Sequence, residues 1–398
     1  MPQPRVYEAI LREQFATLRQ MAFVAGPRQV GKTTVARQVA NAYFNWDNAD
    51  HRRVILAGPK AVAEEAGLTR LRADVPVIAF DEIHRHGKWK AFLKGFFDTY
   101  SEQCRVVVTG SSRLDVFRRG GDSLMGRYFL HHMHPLSVGE LLEPVVPVQP
   151  VRSPRRIDDD AWASLQLHGG YPEPWLRADS RFTTRWRRIR LQQLLREDVR
   201  DLTRVQELAQ LETLGLLLTE RSGQQIVLSN LAADVGTSVD TVRRWLSVLT
   251  GLHHGFLVRP WTRNVTRSLR KEPRWYLRDW SGVEDEGARA ETLVACHLLK
   301  AVEMWTDLGL GQFDLFYLRD KEKREVDFVV IRNRKPWFLV DVKASDERLS
   351  PWLEHFQQQT RAEHAFQVVL GLPFVDADCF SRRAPTVIPA RTFLSQLP

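Results

Sequence analysis

The chain has little of what marks a secreted, metal-stapled or membrane-spanning protein. Its 398 residues include three cysteines, Cys104, Cys296 and Cys379, which lie far apart with no C-x-x-C pair. That spacing excludes the usual zinc and dithiol patterns, so structural metal and disulfides are set aside. A reducing compartment fits, and a cytoplasmic location is expected. No stretch approaches the ~18 uninterrupted apolar residues that a membrane span requires. Met1 to Leu11 holds no apolar block of the signal-peptide kind, so the sequence reads as neither secreted nor membrane-embedded. Acidic residues are in slight deficit, with 48 Asp+Glu against 57 Lys+Arg and a formal charge of +9. The surplus permits a polyanionic partner without demanding one. What is present is an ordinary globular mixture, 43% hydrophobic and 26% charged, which excludes a disordered chain. Its length argues for several domains, because single cores stop growing at roughly 250–300 residues.

The most informative stretch follows a short apolar block, Met21 to Ala25, which reads as a buried strand. Gly26-Pro27-Arg28-Gln29-Val30-Gly31-Lys32-Thr33 comes next, a G-x-x-x-x-G-K-T pattern. That spacing lets backbone N–H groups surround a triphosphate, places Lys32 on its β- and γ-phosphates, and offers the Thr33 hydroxyl to Mg²⁺ at a helix N-terminus. Thr34 to Val39 has the periodicity of that helix. ATP and Mg²⁺ are therefore the expected cofactors. A second apolar strand, Val75 to Phe80, ends in Asp81-Glu82. In P-loop ATPases this place holds the carboxylate on Mg²⁺ and a neighbour that orients the attacking water, roles that fall to Asp81 and Glu82. A third strand, Arg105 to Val108, leads into Thr109-Gly110-Ser111-Ser112 and is expected beside the first two at the carboxyl edge of a parallel sheet. Ser111 and Ser112 are candidates for sensing the γ-phosphate.

The middle of the chain is basic. Glu143 to Asp160 is rich in proline and arginine and reads as a linker or exposed loop. Ala161 to Leu208 reads as helical, broken by a turn at Gly169 to Pro174. Arg181, Arg185 and Arg188 share one helical face, which suits either a phosphate-tracking surface or a solvated helix paired with Glu197, Asp198 and Asp201. From Leu228, a short helix, a turn at Gly236 and a second helix capped by Thr237 or Ser238 give a helix-turn-helix layout. Phe256 to Trp261 and Arg274 to Leu277 then bracket a basic segment (Arg263, Arg267, Arg270, Lys271) as in a winged hairpin, which serves for DNA contact or for packing.

Toward the C-terminus a helix, Ala288 to Val302, precedes strands at Gln312 to Leu318, Arg324 to Ile331 and Trp337 to Val340, the last running into Asp341-Val342-Lys343. Alternation on a strand projects Asp341 and Lys343 together, with Asp327 supplied by the adjacent strand. Such a set suits a phosphodiesterase site in which carboxylates hold Mg²⁺ and a lysine stabilises charge.

Taken together, Gly26 to Thr33, Phe80-Asp81-Glu82-Ile83-His84 with Lys88-Trp89-Lys90, Thr109 to Ser112, Gly126-Arg127-Tyr128, Pro135-Leu136-Ser137 and Gly169-Gly170-Tyr171-Pro172-Glu173 resemble a widespread group of prokaryotic AAA-type ATPases. These carry an uncharacterised C-terminal domain related to PD-(D/E)xK nucleases. The resemblance implies that Arg127 is the arginine finger acting on a neighbouring subunit's nucleotide, with Arg113, Arg118 and Arg119 as competitors, and so a homo-oligomer. It also sets Glu291, Asp327, Asp341 and Lys343 in the positions of the nuclease constellation. The sequence departs from the group where Asp341 replaces the longer glutamate of a Glu-x-Lys pair.

The expected architecture is α/β: an AAA-type P-loop ATPase core with a parallel sheet (1–150), a linker and helical lid (151–208), a winged helix (209–282) and a restriction-endonuclease-like α/β domain (283–398). The expected function is an oligomeric ATP-hydrolysing machine acting on DNA, by remodelling, branch migration or repair-type movement. The rivals are a nucleotide-dependent switch that binds a protein partner in signalling or defence, and an ATP-gated metal-dependent DNA nuclease.

Overall fold

The structure, a computed structural model, describes residues 3–110, 124–198, 208–262 and 272–398. Its contacts divide the chain into two compact units, one of residues 1–134 and 143–146, the other of residues 135–142 and 147–398.

The first unit is built on five short strands: β1 (Met21–Ala25), β2 (Ala42–Asn45), β3 (Val77–Asp81), β4 (Arg105–Gly110) and β5 (Tyr128–His132). They form one parallel sheet in the order β2-β3-β4-β1-β5. The run Met21–Ala25 is buried at all five positions, as expected of a central strand covered on both faces. Helix α1 (Val6–Thr17) precedes β1, α2 (Lys32–Val39) follows it, α3 (Ala49–Ala57) and α4 (Pro59–Glu65) follow β2, and α5 (Trp89–Tyr100) links β3 to β4. Phe92, Leu93, Phe96 and Phe97 of α5 recur at helical spacing and pack with Phe23, Phe44, Phe80 and Val108 in one core. Fully burying a side chain of this size contributes roughly 1.5–3 kcal/mol. In parallel order every strand ends on the same side, so the loops after β1, β3 and β4 meet at one edge.

The second unit holds a seven-stranded mixed sheet. Its strands are β6 (Gly255–Pro260), β7 (Arg274–Leu277), β8 (Phe313–Arg319), β9 (Glu325–Arg332), β10 (Lys335–Lys343), β11 (His364–Val369) and β12 (Thr386–Pro389), in the order β12-β11-β10-β9-β8-β6-β7. A 22-residue helix, Glu286–Asp307, lays Leu293, Val294, Leu298, Ala301 and Trp305 into its main core. The helices Leu208–Glu220, Leu228–Val235 and Val239–Gly251 form a second core around Trp245 and Trp275. Between the last two, Gly236 turns in the left-handed region with φ 70°. Ser238 is the N-cap of the second, accepting from the Thr241 amide.

Three boundaries differ from expectation. Residues 135–142 pack with the second unit, because Val138 and the buried Glu140 belong to its interior. The proline-rich run after Glu143 is no free linker: Ile157 is buried in the main core, and the Arg152 amide donates to the Gln396 carbonyl at 2.9 Å. The β6/β7 hairpin does not close a separate domain at residue 282, since β6 pairs in parallel with β8 through Arg259↔Phe316 and Pro260↔Tyr317.

Candidate functional site

At the carboxyl edge of the first sheet, β1 hands the chain to the Gly26–Gly31 loop. Gly26 lies so close to the Met133 carbonyl that any Cβ would overlap it. Gly31 adopts φ 100° as the N-cap of α2, a conformation costly for other residues, and leaves the first amides of α2 facing the loop. Val30 is buried, whereas Arg28, Gln29, Thr33 and Thr34 are exposed. Lys32 is buried, and its Nζ donates to the carbonyls of Gly26 at 2.9 Å and Pro27 at 2.6 Å. An ammonium held only by neutral carbonyls can exchange them for phosphate oxygens, which form shorter, charge-assisted bonds.

β4 lies between β1 and β3, and the register sets Thr109 opposite both Val24 and Asp81. Asp81 is 2% exposed. Its Oδ2 accepts from the Thr33 hydroxyl at 2.8 Å and from the Tyr43 hydroxyl at 2.6 Å, and its Oδ1 from the Thr109 hydroxyl at 2.5 Å. The loop's Thr33 and the β3 carboxylate are thus already in contact, a donor set of the kind Mg²⁺ takes beside phosphates. Tyr43 was not legible as a site residue. Burial first, then the bond to Asp81, pushes its phenol well above the usual range, so it stays a donor. Arg37 stacks on its ring at 4.7 Å.

Glu82 takes the left-handed conformation, φ 55°, and its amide donates to the Thr109 carbonyl at 3.1 Å. Its Oε2 lies 3.4 Å from His84 Nε2 and 3.8 Å from Arg85 Nε, while Arg85 also reaches Asp47 at 2.8 Å. Burial raises the Glu82 carboxyl above its ordinary value, opposed chiefly by Lys32. A carboxylate held this way is a better proton acceptor than a surface glutamate.

The other candidates at this end fall differently. Ser111, Ser112, Arg113, Arg118 and Arg119 lie outside the described residues. The Arg127 carbonyl accepts from the Met21 amide at 2.9 Å, so it sits at the start of β1, the full length of that strand from its own phosphate loop. Its guanidinium forms a two-pronged pair with Asp98, at 2.7 and 3.0 Å. That position leaves no role for Arg127 on its own subunit's nucleotide. In a neighbour's site it would first have to leave Asp98.

In the second unit the four nuclease-like residues come together, but around an arginine that the sequence reading placed in the wing. Arg274 of β7, 5% exposed, pairs with Glu291 at 3.0 Å, Asp327 at 3.1 Å and Glu325 at 2.8 Å. The Tyr276 hydroxyl donates to Glu291 at 2.6 Å and the Val342 amide to Asp327 at 2.9 Å. Lys343 reaches Asp341 at 3.0 Å. Two cations therefore face four carboxylates. Burial, then the Asp327 charge, pushes Glu291 up to about 8. The same causes in the same order push Asp341 up to about 7. The carboxylate oxygens that would take a metal are committed to a guanidinium and to a backbone amide. Among the described residues, no three His, Cys, Asp or Glu side chains are grouped to hold a metal ion. The donor set does not fit the metal of a nuclease site.

The basic surfaces are only partly free. On helix Ser180–Gln193, Arg181, Arg185 and Arg188 are exposed along one face. Arg187 instead donates to the Ser281 carbonyl, and Arg190 to the Tyr171 hydroxyl while stacking on that ring at 4.1 Å. Arg196 pairs with Glu212 at 2.7 Å. Arg200, Asp201, Arg204, Arg263, Arg267, Arg270, Lys271 and the side chains of Glu197 and Asp198 lie outside the described residues. No helix among the described residues is long and apolar enough to cross a membrane.

Comparison with known proteins agrees with the first of these sites. Residues 18–142 match the family model of an AAA domain. Residues 159–282 and 286–380 match two domains of unknown function, DUF8612 and DUF4143. Uncharacterized proteins of Mycobacterium bovis and Mycobacterium tuberculosis are each 26% identical over 330 residues, covering 80% of this chain and 69% of theirs. The structure of PCH-2 from C. elegans aligns with 60% of this chain and 66% of its own at 13% identity, with a TM-score of 0.24, too low to bear on the fold. The N-terminal part of the chain is an AAA-type P-loop ATPase domain, and it is followed by two domains whose function is unknown.

Proposed function

We propose that the chain binds ATP with Mg²⁺ and hydrolyses it, and that the contact of Thr33 with Asp81, beside the buried Lys32, carries this reading. Lys32 and the loop amides bind the phosphates, with Pro27, Arg28, Gln29, Val30 and Thr34 lining the loop. Thr33 and Asp81 hold the metal, which supplies charge neutralisation at the phosphates when bound. Glu82 takes the proton of the attacking water. Because a base must be ionised and burial raises Glu82 above its ordinary 4.5, turnover falls as pH is lowered, with an inflection above that value. The test is kcat at saturating ATP across pH, and a profile flat down to 4.5 contradicts the role.

We further propose that the second unit contains a helical lid (151–208), a winged helix (209–282) and a PD-(D/E)xK-like fold (283–398) sharing one sheet. The last is kept as a binding scaffold, the guanidinium of Arg274 standing where a metal would. DNA is the proposed partner of an oligomeric form, supported by the exposed face of Arg181, Arg185 and Arg188. ATPase rates are measured with and without single-stranded, duplex and branched DNA at stated salt, since phosphate contacts weaken steeply with salt. Stimulation is expected, together with its loss when the three arginines are changed to Gln. Turnover indifferent to DNA favours a switch acting on a protein partner.

A further inference from the structure

Two segments that nucleotide chemistry leaves unused, Pro135-Leu136-Ser137 and Gly169-Gly170-Tyr171, meet in the structure. The Leu136 amide donates to the Gly170 carbonyl at 2.7 Å. A Cβ on Gly170 would stand 2.6 Å from both the Leu136 carbonyl oxygen and the Trp280 ring, so only glycine admits the approach. The Ser137 hydroxyl donates to the Pro398 carbonyl at 3.0 Å and accepts from Lys300 Nζ at 2.7 Å. Lys300 also pairs with Glu140 at 2.5 Å, their side chains 2% and 0% exposed. The Val138 amide donates to His297 at 3.2 Å, and Gly139 abuts the Leu397 carbonyl. Residues 135–142 are thereby held along their length by the second unit. An ion pair this deeply buried rarely adds net stability, which leaves fixed geometry as what it provides.

Immediately upstream, the chain is tied to the phosphate loop instead. The Met133 amide donates to the Ala25 carbonyl at 2.7 Å. Arg5 donates both to the Val30 carbonyl and to the His134 carbonyl, the latter at 2.7 Å. The Tyr7 hydroxyl donates to the His132 carbonyl at 2.8 Å and accepts from the His134 amide at 3.0 Å. The loop's carbonyls and residues 132–134 thus share partners one peptide bond from the clamped segment.

We infer that residues 133–142 are a strut that carries the state of the phosphate loop into the second unit. The inference rests on the ATP-binding reading above. When Lys32 leaves the Gly26 and Pro27 carbonyls for phosphate, the loop rearranges against Met133 and His134, and the clamp prevents residues 135–142 from absorbing the change locally. Coupling is reciprocal, so the clamp also alters nucleotide affinity by the same factor.

The test is hydrogen–deuterium exchange on the full chain with and without Mg²⁺ and ATPγS. Protection is expected at residues 26–34, together with a several-fold change in exchange at 135–142 and 169–171. In the double variant Lys300→Met/Glu140→Met, which removes both buried charges at once, protection at 26–34 persists and the distant change disappears. Ser137→Ala is the milder variant should the double one not fold. Protection at 26–34 without any distant change in the parent protein overturns the strut and leaves ATP binding standing. A distant change that survives in a folded clamp variant also overturns it. Absence of protection at 26–34 overturns both.

Discussion

Glu82→Gln is expected to lower the rate of ATP hydrolysis by about 10²–10⁴-fold, the usual contribution of a positioned general base, while ATP binding is retained. The backbone fixes Glu82 at φ 55° with its amide on Thr109, next to the carboxylate that touches Thr33. Glutamine keeps the length and an acceptor oxygen for His84 and Arg85 but cannot take a proton. Removing the charge also relieves repulsion with Asp81, one of the influences that raise Glu82, so affinity for the metal-bound nucleotide does not fall. Lys32→Ala differs in kind, losing binding and turnover together, because a group that holds ground state and transition state alike is removed. Steady-state phosphate release beside an equilibrium nucleotide titration separates the two variants. Undiminished turnover in Glu82→Gln would remove the residue from the mechanism and pass the base role elsewhere on the carboxyl edge.

How much of this was legible depended on whether chemistry is local in sequence. A phosphate loop needs contiguous glycine, lysine and threonine, and its strand and helix follow directly, so Gly26 to Val39 read as they fold. Asp81 and Glu82 were legible because they close an apolar run. Tyr43 was not, since its role comes from register: β2 pairs Tyr43 with Ala79 and Asn45 with Asp81, which sets the phenol on the Asp81 side of the sheet. No local pattern marks that. Arg127 could be placed at the start of a strand but not at an end of the sheet. Only the parallel pairing of Met21 with Tyr128 sets it away from its own phosphate loop. The hairpin around Arg274 was legible as two strands, yet its extension of the C-terminal sheet through β6 and β8 is a long-range pairing. A charged residue opening the buried strand Arg274–Leu277 was the one available signal that the strand faces carboxylates.

Arg274→Met is expected to destabilise the second unit by about 3–5 kcal/mol, the cost of leaving buried charges without their partner. Glu325, with its side chain 38% exposed, can turn to water, whereas Glu291 at 19% and Asp327 at 11% cannot, so the loss comes mainly from those two. Its pH dependence follows from the raised carboxyls. Glu291, folded at about 8 against an ordinary 4.5, binds its proton more tightly when folded. Stability is therefore full below 4.5 and declines as pH rises toward 8. In the variant this decline steepens, because no guanidinium remains to support the ionised form, and the deficit against the parent shrinks on acidification. Adding Glu291→Gln and Asp327→Asn to Arg274→Met should recover most of the loss, since the three residues act as one unit. Thermal unfolding followed by circular dichroism between pH 5 and about 8 measures each of these. The same melts test the scaffold reading. With Arg274 in place, Mg²⁺ or Mn²⁺ leaves the melting temperature unchanged, and the parent cleaves DNA no faster than an Asp341→Ala/Lys343→Ala control. A melting temperature that Mn²⁺ raises in the parent but not in that control would restore a metal site and, with it, the nuclease.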